Sequence, residues 1–329
     1  MAEIRIGISG WRYEPWRGVF YPDKLRQADE LNYASRAVGS IEINGSFYSL
    51  QRPESWASWY EDTPEDFVFS VKAPRFITHL RRLKDVEKPL ANFFASGVLR
   101  LNQKLGPVLW QLPPNLSFDP ERIEAFLRLL PHDTDQALNL ARQRESRMEG
   151  REHLAIDQPR PLRHAIEVRH DSFEDRAFVD LLRAHDVALV VADTAGKWPL
   201  KEDVTSDFVY LRLHGEEELY ASGYTNEALE DWARRMKAWS QGTQVEDARL
   251  IVERKPPSRK HRDLYCYFDN DMKVKAPFDA GKLARHLGLE GAPAPLADRA
   301  AEADRIIAER GGPRRNPSKP RKKKPRQDT

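Results

Sequence analysis

The sequence predicts an eight-stranded α/β barrel of the (β/α)8 type, with a site at its C-terminal mouth. Strand-like and helix-like segments alternate along the chain, the pattern of a parallel sheet. The strand-like runs number eight, the count at which such a sheet closes. The runs also share one design, apolar at one parity and polar or charged at the other toward the C-terminal end. Ile41 and Ile43 alternate with Glu42 and Asn44, and Phe67, Phe69 and Val71 with Val68, Ser70 and Lys72. Val108, Trp110 and Leu112 stand against Leu109 and Gln111, and Ile166 and Val168 against Glu167 and Arg169. Val209, Leu211 and Leu213 stand against Tyr210, Arg212 and His214. Successive strand side chains point to opposite faces. One face of each strand therefore turns polar at one end only, as a barrel mouth requires.

Taken in order, residues 4–9 form the first strand and 23–38 a helix; 40–47 the second strand and 53–62 a short helix. Residues 67–73 are the third strand, with a helix around 86–105. Residues 108–112 are the fourth, followed by a helix over 119–130 with Asp119 as N-cap and Pro120 at its first position. Residues 164–169 are the fifth strand, with a helix over about 174–185, and 187–193 the sixth, joined only by a loop to the seventh at 208–214. An amphipathic helix covers 225–241, the eighth strand 264–268, and a closing helix 277–287. The strand-eight parity is ambiguous, because Tyr265, Cys266, Tyr267 and Phe268 are all fairly apolar. Two polar insertions, 132–161 and 244–262, fall on the helix-to-strand side, where stability or partner contact is expected rather than catalysis. The expected division is a barrel over 1–289, a C-terminal helix within 290–310, Ala-rich from 296, and a disordered basic tail over 311–329.

Composition narrows the class. The 329 residues are 40% hydrophobic and 10% aromatic, enough for a sizeable core. No apolar run approaches the ~20 residues that span a bilayer, and the N-terminus enters a strand without a signal-peptide core. The single cysteine, Cys266, excludes an internal disulfide and fits a reducing compartment, so a cytoplasmic location is expected. Its apolar neighbours mark it as a packing thiol. The net charge of +2 hides two unlike parts: residues 311–329 hold eight Lys or Arg and one acid, leaving 45 basic and 50 acidic residues before them. Such a proline-broken tail has the means to bind nucleic-acid phosphates or simply to solubilise.

Gly7-Ile8-Ser9-Gly10-Trp11, Phe20-Tyr21-Pro22, Glu42-Ile43-Asn44-Gly45-Ser46-Phe47-Tyr48, Val71-Lys72-Ala73-Pro74-Arg75, Thr78-His79, Gln111-Leu112-Pro113-Pro114, Glu167-Val168-Arg169-His170, Arg212-Leu213-His214-Gly215 and Tyr267-Phe268-Asp269-Asn270-Asp271 occur in that order. Together they resemble the YecE-like family, the domain-of-unknown-function family numbered seventy-two, over residues 4–287. The resemblance implies a TIM-like (β/α)8 barrel and assigns no activity.

Parity places Ser9, Glu42, Asn44, Ser70, Lys72, Gln111, Glu167, Arg169, Asp193, Arg212 and His214 at the inward mouth, with Asp269 or Asn270 from strand eight. Carboxylates thus face cations, either as an ion-pair plug or as a site; polar strand ends favour a site. Glu42 and Glu167, across the mouth, suit acid/base work, with His214 as an inward proton carrier. Lys72, Arg75, Arg169 and Arg212 suit a phosphate or carboxylate clamp. Ser9, Asn44, Gln111, Asp193, Asn270 and His79 complete the substrate contacts, and His170 reads as a capping group. Trp11 and its neighbours through Trp16 offer an aromatic wall that Phe47 and Tyr48 join, whereas Trp56, Trp59, Trp232 and Trp239 read as packing. Glu42, Glu167, Asp193, His214, Asp269 and Asp271 have the donor chemistry for a divalent metal, but no HExxH, phosphate loop or dinucleotide fingerprint occurs. The expected function is a hydrolase or lyase acting on a small anionic, phosphate-bearing substrate, nucleic acid included. A non-catalytic nucleic-acid or phospholigand-binding module and a glycosidase-like carbohydrate enzyme are the alternatives.

Overall fold

The computed structural model describes residues 2–270 and 272–310. Its strands are β1 (Ile4–Ser9), β2 (Ser40–Ile43), β3 (Val68–Lys72), β4 (Leu105–Gln111), β5 (His164–Glu167), β6 (Ala188–Asp193), β7 (Phe208–Leu213) and β8 (Asp263–Phe268). Each pairs in parallel with the next, and β8 returns to pair with β1, closing the barrel. The helices are α1 (Glu30–Ala37), α2 (Gly45–Tyr48), α3 (Pro53–Asp62), α4 (Glu87–Ala95), α5 (Pro120–Leu127), α6 (Thr134–Ala141), α7 (Arg176–Ala184), α8 (Asn226–Ser240), α9 (Ala276–Leu287) and α10 (Ala300–Glu309).

Alternation divides the core in two. The outward parity (Ile6, Ile8, Ile41, Ile43, Phe69, Val71, Trp110, Leu211) packs against the helices. The inward parity forms a second cluster with Ala165, Ala188 and Ala192 on β5 and β6 alongside Tyr210, Tyr265 and Tyr267 on β7 and β8. Small side chains on one wall leave the volume that large rings on the other fill, the alternation that close packing demands. The strand-eight ambiguity is thereby resolved: Tyr265 and Tyr267 point in, while Cys266 and Phe268 join the outer cluster. Cys266 is fully buried, and burial pushes its thiol pKa up. Polar atoms inside the barrel are paired: Tyr267 meets Ser40 at 2.8 Å and Tyr210 meets Ser70 at 2.6 Å.

Several element bounds differ from the sequence reading, each for a local reason. The second strand stops at Ile43 instead of running to 47. Asn44 takes helical angles and α2 follows, pinned by Ser46 Oγ donating to the Lys72 carbonyl at 2.7 Å. The helix expected over 86–105 breaks at Gly97 (φ 103°) into α4 and a 3-10 segment, Val98–Lys104. A Cβ at Gly97 would sit 2.7 Å from Pro53 Cα, so glycine is what lets α3 approach. The helix expected over 23–38 forms only as a 3-10 turn, Gln27–Asp29, running into α1. The segment expected as one helix over 296–310 is a 3-10 turn, Ala294–Arg299, followed by α10. Arg299 ties it to the barrel, bonding Tyr33 Oη at 2.9 Å and the Val19 carbonyl at 2.9 Å. Residues 311–329 lie outside those described.

The loop after β6 is held without a helix. Buried Glu202 accepts Arg235 of α8 at 2.9 and 3.0 Å and the Arg249 amide at 2.7 Å, and Asp203 accepts the Ile251 amide at 2.7 Å. The insertion that contains Arg249 and Ile251 is thus what covers this loop. The other insertion contributes α6 and joins α4 where Asn92 and Glu145 exchange hydrogen bonds of 2.5 and 2.9 Å.

Gly7, paired with Ser40, is the tightest point of the β1–β2 ladder: an added Cβ would lie 1.8 Å from the Ser40 carbonyl oxygen. Gly7→Ala is expected to destabilise the barrel by about 3 kcal/mol or more, because backbone and not a flexible side chain must yield. An unchanged urea midpoint would contradict this packing.

Candidate functional site

At the mouth, the strand ends converge on the guanidinium of Arg212, which is fully buried. Its Nε and Nη2 donate to the two oxygens of Glu42 at 3.0 and 2.9 Å, a two-pronged pairing. Nη1 donates to Glu167 Oε2 at 2.7 Å, and Nη2 also reaches Asp269 Oδ2 at 2.8 Å. Each carboxylate has further donors. Glu42 accepts Ser9 Oγ and Tyr210 Oη, both at 2.7 Å. Glu167 accepts Gln111 Nε2 at 3.0 Å on each oxygen and Arg169 Nε at 2.7 Å. Burial alone would raise the Glu167 pKa, but the charges of Arg169 and Arg212 outweigh it and hold the group well below the ordinary glutamate range. Burial likewise works against the Arg212 charge, and Glu42 and Glu167 more than compensate.

His214 packs against this network, fully buried. Its Nε2 lies 2.9 Å from Arg212 Nη1 and its Nδ1 3.0 Å from the Asp193 carbonyl oxygen. Arginine only donates and a carbonyl only accepts, so Nδ1 carries the proton and the ring is neutral. Burial, reinforced by Arg212, lowers its pKa to about 4.

Above the network opens a cavity of about 750 Å³. Lys72, Arg75, Arg169, Arg12, Gln111 and Asp269 supply its polar lining, and Trp11, Tyr13, Phe47, Tyr48, Trp59 and Tyr220 its aromatic lining. The wall is built edge to face, Trp11 on Trp59 at 5.4 Å and Phe47 on His79 at 5.1 Å between centroids. Arg169 lies over the Trp198 ring, 3.8 Å from its centroid. Lys72 Nζ lies over the Phe47 ring at 4.4 Å, and among the described residues it has no carboxylate at ion-pair distance. Burial and the nearby Arg212 charge lower its pKa to about 8. His79, half-buried in the same wall with Nδ1 2.9 Å from Thr78 Oγ1, is lowered to about 4 by burial and the charges of Arg169, Lys72 and Arg75. Two buried polar atoms at the edge of the cavity, the Trp11 indole Nε1 and Asn44 Oδ1, have no hydrogen-bond partner among the described residues. Asn44 is aimed by its other amide atom, which donates to Ser9 Oγ at 2.7 Å.

The sequence-derived residues thus fall into three groups. Glu42, Glu167, Arg212, His214 and Ser9 come together as the floor and do not line the cavity. Trp11, Asn44, Lys72, Arg75, His79, Gln111 and Arg169 do line it. Asp193 and Asn270 lie apart: Asp193 accepts Tyr224 Oη at 3.0 Å, and Asn270 braces Asp279 at 2.9 Å and the Ser222 carbonyl at 3.0 Å. Of the strand-eight pair, Asp269 is the one at the mouth. Sequence reasoning misses Trp59, which reads as helix packing, and Tyr220, which stands in a loop without periodicity. His170 caps a 3-10 turn, accepting the Ser172 amide. Among the described residues no three His, Cys, Asp or Glu side chains form a group that could hold a metal ion, and Asp271 lies outside those residues. No helix among them is long and apolar enough to cross a membrane.

Two outcomes follow from this electrostatic arrangement. Arg212→Met, which strands Glu42 and leaves Glu167 with Arg169 as its only ion-pair partner among the described residues, is expected to cost about 3–5 kcal/mol at neutral pH. The deficit should shrink toward pH 4 as these carboxylates take up protons; a pH-independent deficit in chemical denaturation would contradict the pairing. Buried His164 and His214 are both lowered to about 4 by burial, whereas unfolded histidine titrates near 6.5. The unfolded chain therefore binds more protons between those values, so wild-type stability should be full above about pH 6.5 and fall progressively toward pH 4. Denaturation midpoints across that range check this, and a flat profile would refute it.

Comparison with known proteins agrees with this architecture. The chain is 30% identical to the UPF0759 protein YunF of Bacillus subtilis (strain 168) over 134 residues, which are 39% of this chain and 46% of that protein. It is 25% identical to the UPF0759 protein YecE of Escherichia coli (strain K12) over 244 residues, 73% of this chain and 83% of that protein. Among solved structures it superposes on a DUF72 family protein from Thermotoga maritima MSB8 with a TM-score of 0.64 at 23% identity, covering 87% of this chain and 99% of that one. A DUF72 family protein from Enterococcus faecalis V583 superposes with a TM-score of 0.63 at 16% identity, covering 87% and 96%. These likenesses support the barrel and name no reaction. The family described as "Protein of unknown function DUF72" matches residues 5–304, and the chain belongs to it.

Proposed function

We propose that the barrel mouth binds a small phosphate- or carboxylate-bearing compound and acts on it as a hydrolase or lyase. The observation that carries this is the charge imbalance of the site. Arg12, Lys72, Arg75, Arg169 and Arg212 are five cations, set against three carboxylates, Glu42, Glu167 and Asp269. Arg212 engages all three carboxylates and Arg169 pairs with Glu167, so the cations left without a carboxylate partner among the described residues are Arg12, Lys72 and Arg75, which face the cavity. An anion entering there meets cations whose charge no described carboxylate has answered, in a partly desolvated setting that strengthens the attraction. The aromatic wall suits a flat or ring-bearing portion of the same molecule.

The geometry also favours one division of labour. Glu42 and Glu167 are occupied on both oxygens, so acid/base work by them would need the floor to open. Lys72 and His79, both held less basic than usual, already face the cavity and support the chemical role better.

Titration calorimetry of the full chain with inorganic phosphate tests the binding. Removing the charge at either Lys72 (Lys72→Met) or Arg75 (Arg75→Ala) is expected to weaken affinity roughly tenfold, the loss of one charge-assisted contact of about 1.5 kcal/mol. Affinity insensitive to both substitutions would remove the mouth as the anion site.

A further inference from the structure

The geometry points to Lys72 as an amine that condenses with an aldehyde or ketone of the bound substrate, forming an imine at the end of β3. This rests on the anionic-substrate reading above and narrows it: the substrate would carry a carbonyl as well as a phosphate or carboxylate, and the reaction would be of the lyase type.

Lys72 is the lysine that lines the cavity, and it is only 8% exposed. Its backbone is fixed on both sides, paired with Leu109 of β4 and held by Ser46 Oγ on its carbonyl. Its Nζ rests 4.4 Å from the centre of the Phe47 ring, and no described carboxylate or hydrogen-bond acceptor claims it. A lysine whose task was only to hold an anion would keep its charge in water or in an ion pair. This one is desolvated beside a guanidinium, the two conditions that release an amine lone pair near neutral pH. With a pKa of about 8, roughly a tenth of the side chain is free amine at pH 7.

The neighbours complete the arrangement. Arg75, Arg169 and Arg12 line the same cavity and are suited to take the anionic end, which leaves the carbonyl end for Nζ. The step balances without a further reagent. The nitrogen lone pair bonds to the carbonyl carbon and the C=O π pair moves to oxygen. The ammonium and the carbonyl thus become a protonated imine and one water, the oxygen leaving with two protons from nitrogen. The cationic nitrogen then draws electrons from a bond at the adjacent carbon. A proton released there can pass to His79, which is neutral in the same wall and whose second ring nitrogen has no partner among the described residues. The C–H pair becomes the C=C bond of an enamine.

Borohydride trapping of the full chain tests this, with pyridoxal 5′-phosphate as probe because it is a flat aromatic aldehyde carrying a phosphate. At equimolar probe, peptide mapping should find one reduced adduct, on Lys72. Excess inorganic phosphate should suppress it, and its initial rate should rise more than tenfold between pH 6 and pH 8. Lys72→Arg should retain phosphate binding by calorimetry and yield no adduct. Adducts spread over surface lysines, with Lys72 labelled no faster than Lys197 or Lys201, would overturn the proposal. Probe binding that phosphate displaces but borohydride never traps would overturn the imine while leaving the anion site standing. Absence of both binding and adduct would sink the two together.

Discussion

Everything at the mouth of this barrel is arranged around one buried guanidinium. Taking a charge of that kind out of water carries a penalty of several kcal/mol, which only well-placed counter-charges and hydrogen bonds can offset. Arg212 meets that requirement with Glu42 on β2, Glu167 on β5 and Asp269 just after β8, so one side chain ties together four parts of the barrel wall. Its planar fork matches the two oxygens of Glu42 as a lysine could not. The partners propagate the constraint: Ser9 and Tyr210 turn toward Glu42, Gln111 and Arg169 toward Glu167, and His214 is locked as a neutral tautomer beside Arg212. The small residues of β5 and β6 follow from the same demand for space, since Tyr210 must cross the barrel interior to reach Glu42.

This floor has two consequences for chemistry. It consumes the hydrogen-bonding capacity of the carboxylates, and it fixes the Arg212 guanidinium, together with the carboxylates that answer it, under the cavity. Lys72 responds to both. Burial is the larger cause of its depressed pKa and Arg212 the next, while Glu42, Asp269 and Glu167 pull the other way without pairing with it. The network therefore tunes the lysine from a distance while remaining a structural element itself. A division of this kind, with a rigid ionic base beneath a less basic and accessible amine, is how a scaffold preorganises a reactive group without exposing the charges that hold it.

How much of this can be read in the sequence depends on periodicity. The alternation of Ile41, Glu42 and Ile43, or of Leu211, Arg212 and Leu213, is legible because a strand projects neighbours to opposite faces and only one face here meets the helices. That rule recovers the barrel and the strand-borne part of the mouth. It also predicts that Glu42, Glu167 and Arg212 face each other, but it does not say how deep they lie. Depth decides whether such residues form floor or wall, and it depends on barrel stagger that no single strand encodes. Loop-borne residues escape the rule altogether. Trp59 has helical spacing from Trp56 and so looks like packing, yet its ring edge meets Trp11 at the cavity. Tyr220 sits in a turn without periodicity, its ring placed by contacts with His214 and with Arg169 on a distant segment. The second strand appears too long for a related reason. Asn44 to Phe47 is compatible with extension, and bonds the linear pattern does not show, among them those from Ser46 to the Lys72 carbonyl and from the Phe47 amide to the Asn44 carbonyl, commit it to a helical turn.

That short turn bears on the choice between the carboxylates and the lysine as the reactive group. The bond from Ser46 fixes the end of β3, and the residue after Ser46 is Phe47, whose ring lies under Nζ. Had the strand continued through 47, alternation would send Ser46 and Phe47 to opposite faces of the sheet. The ring and the lysine backbone are instead positioned by one element, so the apolar surface that desolvates the amine is built by the same turn that anchors it. Glu42 and Glu167 are buried more deeply still, but their charges are answered by arginine and their oxygens are already bonded. Among the described cations that line the cavity without a carboxylate partner, Arg12, Lys72 and Arg75, the one whose uncharged form is a nucleophile is the Lys72 amine.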